Sequence, residues 1–210
     1  MQITVFGASG KVGRRVVELA LQRGYTVVAF VHSHDPFART PQLIVKKGDI
    51  YRGDEIADAI KGSSAIISCL GSWGTKKRNV LTSAMQAIIP AMFEQKIVRI
   101  VTLTGSGAMP PDQKLTLTHR LIMKLLMLFP AGKVFWDGEE HMRLLAGTAL
   151  DWTSLRSPVM KQGPAAPYTL TRKPGPIWRR VSRTTVATAI LDALERSDPS
   201  AYRAPVIRPQ

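Results

Sequence analysis

A glycine-rich segment near the start of the sequence has the residue types and spacing of a phosphate-binding turn. It reads Gly-Ala-Ser-Gly-Lys-Val-Gly over residues 7–13 and follows the apolar run Ile3–Phe6. Gly7 permits a tight turn, Gly10 lets a diphosphate approach the backbone, and Gly13 permits close packing of a helix against a strand. The backbone N–H groups and the helix dipole would then face the phosphates. The predicted dinucleotide-binding residues of this turn are Gly7, Ser9, Gly10, Lys11, Val12 and Gly13.

The residues after the second apolar run indicate which dinucleotide is bound. Sites for NAD place an Asp or Glu here, where it accepts a hydrogen bond from the ribose 2′-hydroxyl. In this chain Val31 is followed by His-Ser-His at 32–34, with Arg39 further on. Donors at this place suit a 2′-phosphate, so we predict NADP(H) rather than NAD(H), with His32, Ser33 and Arg39 as ligands. The alternative is that the histidines are surface loop residues and that the protein accepts either dinucleotide.

The elements that position these residues alternate between strand and helix. Apolar, β-branched runs predict strands at Ile3–Phe6, Thr26–Val31, Leu43–Lys46, Ala65–Cys69, Ile97–Leu103 and Trp152–Arg156. Helical periodicity predicts helices at Gly10–Arg23, Glu55–Lys61 and Val80–Gln95, the last despite Pro90. Such alternation is typical of a parallel sheet covered on both faces. The sequence therefore predicts a Rossmann-type, doubly wound α/β fold of three layers (αβα), forming a single domain over residues 1–210.

The second half of the chain departs from this rhythm. Two helices are predicted at Leu115–Leu128 and Val134–Leu145, separated by Pro130 and Gly132. Residues 161–180 are rich in Pro and Gly and predict an irregular excursion. Thr184 is the predicted cap of a last helix at Val186–Leu194, which precedes a short strand near Pro205–Ile207. We expect the substrate-side elements to come from about 107–146 and 157–183.

Composition and charge restrict the function. The chain has 29 Lys and Arg against 15 Asp and Glu, a net charge of +14, and one cysteine, Cys69. No export signal is recognisable, and the longest apolar stretch, Leu121–Phe129, is too short to span a bilayer, so we expect a cytoplasmic protein without a membrane span. No helix carries a dense basic face, which argues against specific nucleic-acid binding. No metal ligand is predicted.

One stretch of the sequence is strongly basic. Between Asp151 and Asp192 there is no acidic residue. The functional interpretation is a positive rim that attracts an anionic cofactor or substrate, and the alternative is a solvated basic surface. The basic residues of this stretch are Arg156, Lys161, Arg172, Lys173, Arg179, Arg180 and Arg183. For Arg156 we favour a structural role as a buried ion-pair partner.

Several motifs at the predicted strand ends support a family assignment. They are the Ile-Thr-Val-Phe-Gly-Ala-Ser-Gly run, Lys-Gly-Asp-Ile at 47–50, Ser-Cys-Leu-Gly at 68–71, Leu-Thr-Gly-Ser at 103–106 and Asp-Trp-Thr-Ser-Leu-Arg-Ser-Pro at 151–158. With these residues the chain resembles the atypical short-chain dehydrogenase/reductase group. Within that group it is similar to the NAD(P)H-binding proteins related to biliverdin reductase B/flavin reductase and to the NmrA-like proteins.

The resemblance implies places for further cofactor contacts. Asp49 and Ile50 would lie against the adenine, although Asp49 could instead cap the following helix. The residues implied along the adenosine and pyrophosphate side are Leu70, Gly71 and Ser72. Those implied near the nicotinamide are Thr104 and Ser106, with Pro158, Val159 and Met160 as the wall on which its carboxamide rests. Ser106 is the candidate catalytic residue, as a hydrogen-bond donor to the substrate or carboxamide; the alternative is a loop cap.

The chain lacks the Tyr-x-x-x-Lys pair through which ordinary members of the larger family donate a proton. The residues four positions after Tyr25, Tyr51, Tyr168 and Tyr202 are Ala29, Glu55, Arg172 and Val206. Val159 also replaces the histidine of the biliverdin reductase B pattern, which argues against acid catalysis there. Hydride transfer to a conjugated acceptor needs no such pair, because the protein has mainly to align two rings and exclude water.

Two functions are compatible with these features. The first is an NADPH-dependent oxidoreductase that reduces a flavin, quinone or similar small-molecule acceptor, as a monomer or homodimer. The alternative is a non-catalytic, NmrA-like redox sensor that binds NADP and a protein partner. Trp73 would stack on an aromatic substrate or pack in the protein, and Leu115–Leu128 would form core, a lid or a dimer contact. His141, beside Glu139 and Glu140, is interpreted as a solvated residue.

Overall fold

Short apolar, β-branched runs form the strands, and the segments between them form the helices. The computed structural model describes residues 1–72, 75–113, 121, 125, 130–172, 179–196 and 203–210. Within these residues the strands are β1 (Gln2–Phe6), β2 (Thr26–Val31), β3 (Leu43–Lys47), β4 (Ala65–Ser68), β5 (Arg99–Gly105), β6 (Asp151–Ser157), β7 (Met160–Lys161), β8 (Tyr168–Thr171), β9 (Val181–Ser182) and β10 (Val206–Pro209). The helices are α1 (Gly13–Gln22), α2 (Asp54–Ile60), α3 (Val80–Glu94), α4 (Pro130–Ala146) and α5 (Arg183–Leu194).

The large sheet has the strand order of a doubly wound fold. Its order is β3-β2-β1-β4-β5-β6-β10-β8, and every pair from β3 to β10 is parallel. The chain runs outward from β1 to β3 and then returns to β4, so the direction of the winding reverses between β1 and β4. A ligand crevice opens at such a reversal, outside the carboxyl ends of the strands. The predicted Rossmann-type fold is confirmed.

Apolar side chains fill the space between the sheet and the helices on both faces. On one face α1 and α5 contribute Val16 and Ile190 to a buried cluster, and on the other α2 and α3 contribute Ile56 and Ile88. The sheet therefore lies between two helical layers, as predicted. Among the described residues, no helix combines the length and apolar character needed to cross a membrane.

Three predicted helix starts were wrong, and the first is that of α1, which begins at Gly13 rather than Gly10. Helix α4 begins at Pro130 rather than Val134, because proline is tolerated in the first turn of a helix, where its missing N–H costs no hydrogen bond. The cap of α5 is Ser182, whose Oγ accepts a hydrogen bond from Thr185 N at 3.0 Å. The predicted cap, Thr184, instead donates from Oγ1 to Gly163 O at 2.8 Å.

The segment 161–180 is less irregular than predicted. Strand β8 lies within it and pairs antiparallel with β10, with Leu170 opposite Ile207. A second, two-stranded sheet joins β7 and β9 in parallel, with Lys161 opposite Ser182. Both pairings join residues distant in sequence, which local periodicity does not reveal. The predicted helix at Leu115–Leu128 lies mostly outside the described residues.

Arg156 has a structural role, but its partners are backbone carbonyl groups and not the carboxylate of the predicted ion pair. The side chain is fully buried, and its guanidinium donates to Ala204 O at 2.9 Å, Ala108 O at 3.1 Å and Arg172 O at 2.7 Å. Among the described residues it forms no ion pair. Burial lowers the pKa of Arg156 to about 10. Arg156 therefore ties three chain segments together through their carbonyl groups.

Candidate functional site

The predicted site residues follow six different strands and meet at one edge of the sheet. Because β1 to β6 are all parallel, their carboxyl ends lie at the same edge. The residues at or after these ends are Gly7–Gly13, His32 and Ser33, Asp49 and Ile50, Leu70–Ser72, Thr104 and Ser106, and Pro158–Met160. The fold thus brings together residues that the sequence separates by up to about 150 positions.

The glycine-rich turn is shaped by two contacts that only glycine permits. Gly7 has φ +71°, and a Cβ placed on it would lie 3.0 Å from Cys69 C, in the backbone after β4. A Cβ on Gly13 would lie 2.1 Å from Gly7 O, well inside contact distance. Gly13 therefore lets the start of α1 approach the end of β1, as its predicted role requires.

Free backbone donors point out of this turn. Gly10 N donates to Gly7 O at 3.0 Å and Gly10 O accepts from Arg14 N at 3.0 Å, which closes the turn. The N–H groups of Lys11, Val12 and Gly13 form no hydrogen bond with a described backbone group. Such donors at a helix start bind anions well. Since the Val12 side chain is buried, its contact with a ligand is limited to the backbone.

A pocket of about 310 Å³ lies at the carboxyl ends of β2 and β3. Its lining residues are His32, Lys47, Gly48, Asp49, Arg52 and Glu55. Both carboxylates already accept from backbone N–H groups: Asp49 Oδ1 from Tyr51 N at 3.0 Å, and Glu55 Oε2 from Asp49 N at 3.0 Å. His32 Nε2 lies 3.9 Å from Asp49 Oδ2. Lys47 and Arg52, which form no ion pair with a described residue, are therefore the groups of this pocket best suited to an anion.

One alternative for this region is resolved by the contacts. Asp49 does not cap α2, whose N-cap is Gly53 and has no side-chain cap hydrogen bond. Arg39 Nη2 lies 3.0 Å from Asp35 Oδ2, so its guanidinium already has a carboxylate partner. Arg39 stays a predicted ligand. Lys47 and Arg52 line the pocket but were not singled out, because the sequence does not show which basic side chain borders a pocket.

The Ser72 hydroxyl has a partner inside the protein. The side chain is buried; its Oγ donates to Asp137 Oδ2 and accepts from Val80 N at 3.1 Å. Asp137, on α4, is itself buried and accepts from Leu81 N at 3.0 Å and Thr82 N at 2.9 Å. It thereby caps α3 from a neighbouring helix. A role for Ser72 toward the cofactor is thus restricted to its backbone, and no sequence pattern indicated Asp137.

Ser106 lies in a glycine-flanked loop beside an aromatic ring. Its N–H donates to Ser157 O at 2.8 Å, which joins the ends of β5 and β6, and its side chain is half-buried. Phe135 packs on this loop so closely that a Cβ on Gly107 would lie 2.6 Å from the ring. Val159, two residues after Ser157 in the chain, is 60% exposed, so apolar surface is available beside this loop. Trp73 lies outside the described residues.

Thr104 lies beneath α4, and His141 lies on the face of α4 that packs against the sheet. Thr104 is buried, and a Cβ on Gly138 would lie 2.4 Å from its Oγ1. His141 is fully buried, with Nε2 3.1 Å from Thr102 Oγ1 and 3.2 Å from Ser154 Oγ. The interpretation of His141 as solvated was therefore wrong. Burial lowers the pKa of His141 to about 4, so its ring is neutral at pH 7.

The fold and the glycine turn define a dinucleotide-binding protein of the Rossmann class. A family model described as NAD(P)H-binding matches residues 7–197, and the chain belongs to this NAD(P)H-binding family. The predicted binding of a nicotinamide dinucleotide and the resemblance to the atypical short-chain dehydrogenase/reductase group are confirmed. The residue assignments within the site stay predictions.

Curated relatives match only part of the chain. The uncharacterized protein YwnB of Bacillus subtilis (strain 168) is 27% identical over 116 residues, 55% of this chain and 53% of YwnB. A 3-beta-hydroxysteroid dehydrogenase of Mycolicibacterium neoaurum is 34% identical over 76 residues, 33% of this chain and 21% of the dehydrogenase. The matches thus span about half and about a fifth of these relatives.

Solved structures match the fold over nearly the whole chain. ChuY, an anaerobillin reductase from Escherichia coli O157:H7, superimposes with a TM-score of 0.77 and 22% identity, covering 100% of this chain and 97% of ChuY. A short-chain dehydrogenase/reductase from Veillonella parvula DSM 2008, solved in complex with NADP, has a TM-score of 0.73 and 16% identity, covering 99% and 94% of the two chains. At this identity the likeness establishes the fold.

Proposed function

We propose that the protein is an NADPH-dependent oxidoreductase that transfers hydride to a flavin, quinone or similar conjugated acceptor. The observation that carries this proposal is the end of the site around Ser106. There the half-buried Ser106 lies in a loop against which Phe135 packs. The exposed Val159 comes two residues after Ser157, whose carbonyl accepts from Ser106 N, so an apolar surface for a flat ring lies beside this loop. Two of the structural neighbours are reductases or dehydrogenases by name, which supports a redox reaction.

Two of the described tyrosines, Tyr25 and Tyr168, are unsuited to act as proton donors at this end of the site. Tyr25 Oη donates to Glu195 Oε1 at 2.9 Å, and burial, followed by that hydrogen bond, raises the pKa of Tyr25 to about 12. Tyr168 Oη donates to Asp192 Oδ2 at 2.6 Å, and burial with this bond raises the pKa of Tyr168. Both hydroxyls are therefore held by carboxylates near the end of α5. This favours an acceptor that needs no tyrosine acid.

The chain's own residues would bind, orient and shield the reactants. The turn around Gly10 fits a diphosphate, because it leaves N–H groups free and no side chain in the way. When bound, NADPH supplies the hydride. Ser106 would donate a hydrogen bond to the acceptor or the carboxamide, while Phe135 and Val159 exclude water from the two rings. The protein contributes mainly alignment.

The preference for NADP over NAD is proposed from the pocket at β2 and β3. No carboxylate stands directly after β2, and His32, Lys47 and Arg52 border the space next to it. We expect Arg52→Ser to raise the KM for NADPH about tenfold, because one charge-assisted hydrogen bond to the 2′-phosphate is lost. The KM for NADH, which lacks this phosphate, should change little. Lys61→Ser is the matched control, because Lys61 lies before β4 at the opposite edge of the sheet. Equal effects of Arg52→Ser on both cofactors would contradict the assignment.

A turnover assay tests the reaction itself. Purified protein mixed with NADPH and either riboflavin or menadione should oxidise NADPH steadily. The reaction is measured as the loss of absorbance at the nicotinamide band. Ser106→Ala should lower kcat by about tenfold, since one hydrogen bond to the reacting groups is lost. Tight NADPH binding without turnover of any acceptor in a broad panel would contradict the oxidoreductase function and favour the redox-sensor alternative.

A further inference from the structure

One exposed face of the small β7–β9 sheet carries cations beside the acceptor end of the site. Side chains alternate across a strand, and paired positions of neighbouring strands point the same way. Lys161 is opposite Ser182, and Val181 N donates to Val159 O at 3.1 Å, so the pairing extends back to Val159. Val159, Lys161 and Arg180 therefore share one face. We call these three residues the β7–β9 face.

The opposite face of this small sheet is packed against the core. Val181 is buried and Met160 is half-buried, and both belong to the cluster under α1 and α5. The β7–β9 face meets solvent at Val159, Lys161 and Arg180, which are exposed. Ser182, opposite Lys161 on the same side of the sheet, is buried and donates from Oγ to Pro164 O at 2.6 Å. An apolar side chain and two cations thus stand side by side on an open surface.

The two cations lack the partners that neighbouring basic residues have. Arg172 Nη2 is 2.8 Å from Asp112 Oδ2, and Arg179 Nη1 donates to Pro209 O at 2.8 Å. Neither Lys161 nor Arg180 forms an ion pair or side-chain hydrogen bond with a described residue. The sequence provides no carboxylate between Asp151 and Asp192. Two like charges on one face of a small sheet, without a counter-charge from a described residue, attract an anion.

The β7–β9 face is also next to Ser106. Val159 lies two residues after Ser157, whose carbonyl accepts the hydrogen bond from Ser106 N. A ring resting on Val159 near Ser106 would project its substituents toward Lys161 and Arg180. The face therefore presents an apolar side chain next to Ser106 and two cations beyond it. This arrangement suits an acceptor with an apolar ring and a charged tail.

We infer that Lys161 and Arg180 form an anion subsite for a phosphate or carboxylate group of the acceptor, so that the substrate class is an anionic conjugated molecule. This inference rests on the proposed oxidoreductase function. The same chemistry would also suit a phosphate of the dinucleotide. The two possibilities can be distinguished by removing the cations. If the subsite serves the acceptor, the acceptor binds more weakly; if it serves the dinucleotide, the dinucleotide does.

FMN and riboflavin form the probe pair, because they share the isoalloxazine ring and differ in a phosphate. The variant Lys161→Glu/Arg180→Glu reverses both charges, and Lys61→Glu is the control at the opposite edge of the sheet. Flavin binding is measured by fluorescence quenching in the presence of NADP, and turnover by NADPH oxidation. We expect the double variant to weaken FMN binding about tenfold and to raise the KM for FMN equally, with riboflavin and NADPH unchanged.

Each outcome discriminates between the two hypotheses. If the double variant raises the KM for NADPH with either flavin and leaves FMN binding intact, the cations serve the dinucleotide and the inference is overturned. If both flavins are reduced equally well and neither responds to the variant, the subsite is rejected while the oxidoreductase function stands. If no flavin is reduced but salt-sensitive FMN binding is lost in the variant, the subsite survives and the proposed function fails.

Discussion

Replacing Gly10 with valine should weaken NADPH binding about a hundredfold, which corresponds to the loss of two charge-assisted hydrogen bonds to phosphate. The side chain would stand over the N–H groups of Lys11, Val12 and Gly13, which are free of backbone partners. A Cβ on Gly10 would lie 3.1 Å from Gly7 O, a distance that a small shift of the turn accommodates. Calorimetric titration with NADPH measures the loss, and thermal unfolding by circular dichroism shows that the fold is retained.

The choice of Gly10 and of its control follows from the geometry of the turn. Gly13 is unsuitable, because a Cβ there would lie 2.1 Å from Gly7 O and would damage the fold itself. Gly147 lies after α4, and a Cβ there would make ordinary contacts at 3.5 Å and 3.7 Å, so Gly147→Val should bind NADPH normally. Undiminished binding by Gly10→Val would remove the glycine turn as the diphosphate site.

The parts of the fold that could be predicted are those in which local pattern and sheet topology agree. Strands β1, β2 and β4, which lie inside the sheet, are nearly continuous apolar runs, as expected of parallel strands buried on both faces. Once the strand order is known, the carboxyl-edge loops must meet, so Gly10, Asp49 and Ser106 could be grouped from sequence alone. The glycine turn was the strongest signal because each glycine answers a specific steric demand.

The parts that could not be predicted depend on pairings distant in sequence. Asp137 caps α3 from another helix, and Ser182 rather than Thr184 caps α5. The pocket beside β2 borders Lys47 and Arg52, whose positions relative to the crevice no local pattern reveals. Residue type alone also gave the wrong environment for Arg156, whose partners are backbone carbonyls that have no sequence signature.

The environment of His141 also could not be predicted from local sequence, and its burial affects the stability of the protein. Glu139 and Glu140 precede it, and this charged context suggested an exposed residue. Successive helical residues point about 100° apart, however, so one side chain of such a run can face the core while its neighbours face solvent. On α4 the face that carries His141 packs onto β5 and β6, where Thr102 and Ser154 contact its ring.

The buried His141 should make the protein acid-sensitive. The pKa of its imidazole is about 4 in the folded protein, lowered by burial, against about 6.5 in the unfolded chain. Between these values the unfolded chain binds the proton and the folded protein does not, so stability falls as the pH falls. The full stability is present above about pH 6.5, and about 3 kcal/mol is lost by about pH 4. Urea unfolding at a series of pH values measures this loss.

Two variants isolate the histidine from the other titrating groups. His141→Gln keeps a hydrogen-bonding side chain near Thr102 and Ser154 but has no group that titrates. Between about pH 6.5 and pH 4 its free energy of unfolding should therefore fall by about 3 kcal/mol less than that of the wild type. His34→Gln alters an exposed histidine and should follow the wild-type profile. Parallel pH profiles for wild type and His141→Gln would show that His141 carries its proton equally well in both states, and the buried, neutral ring would then be the wrong description.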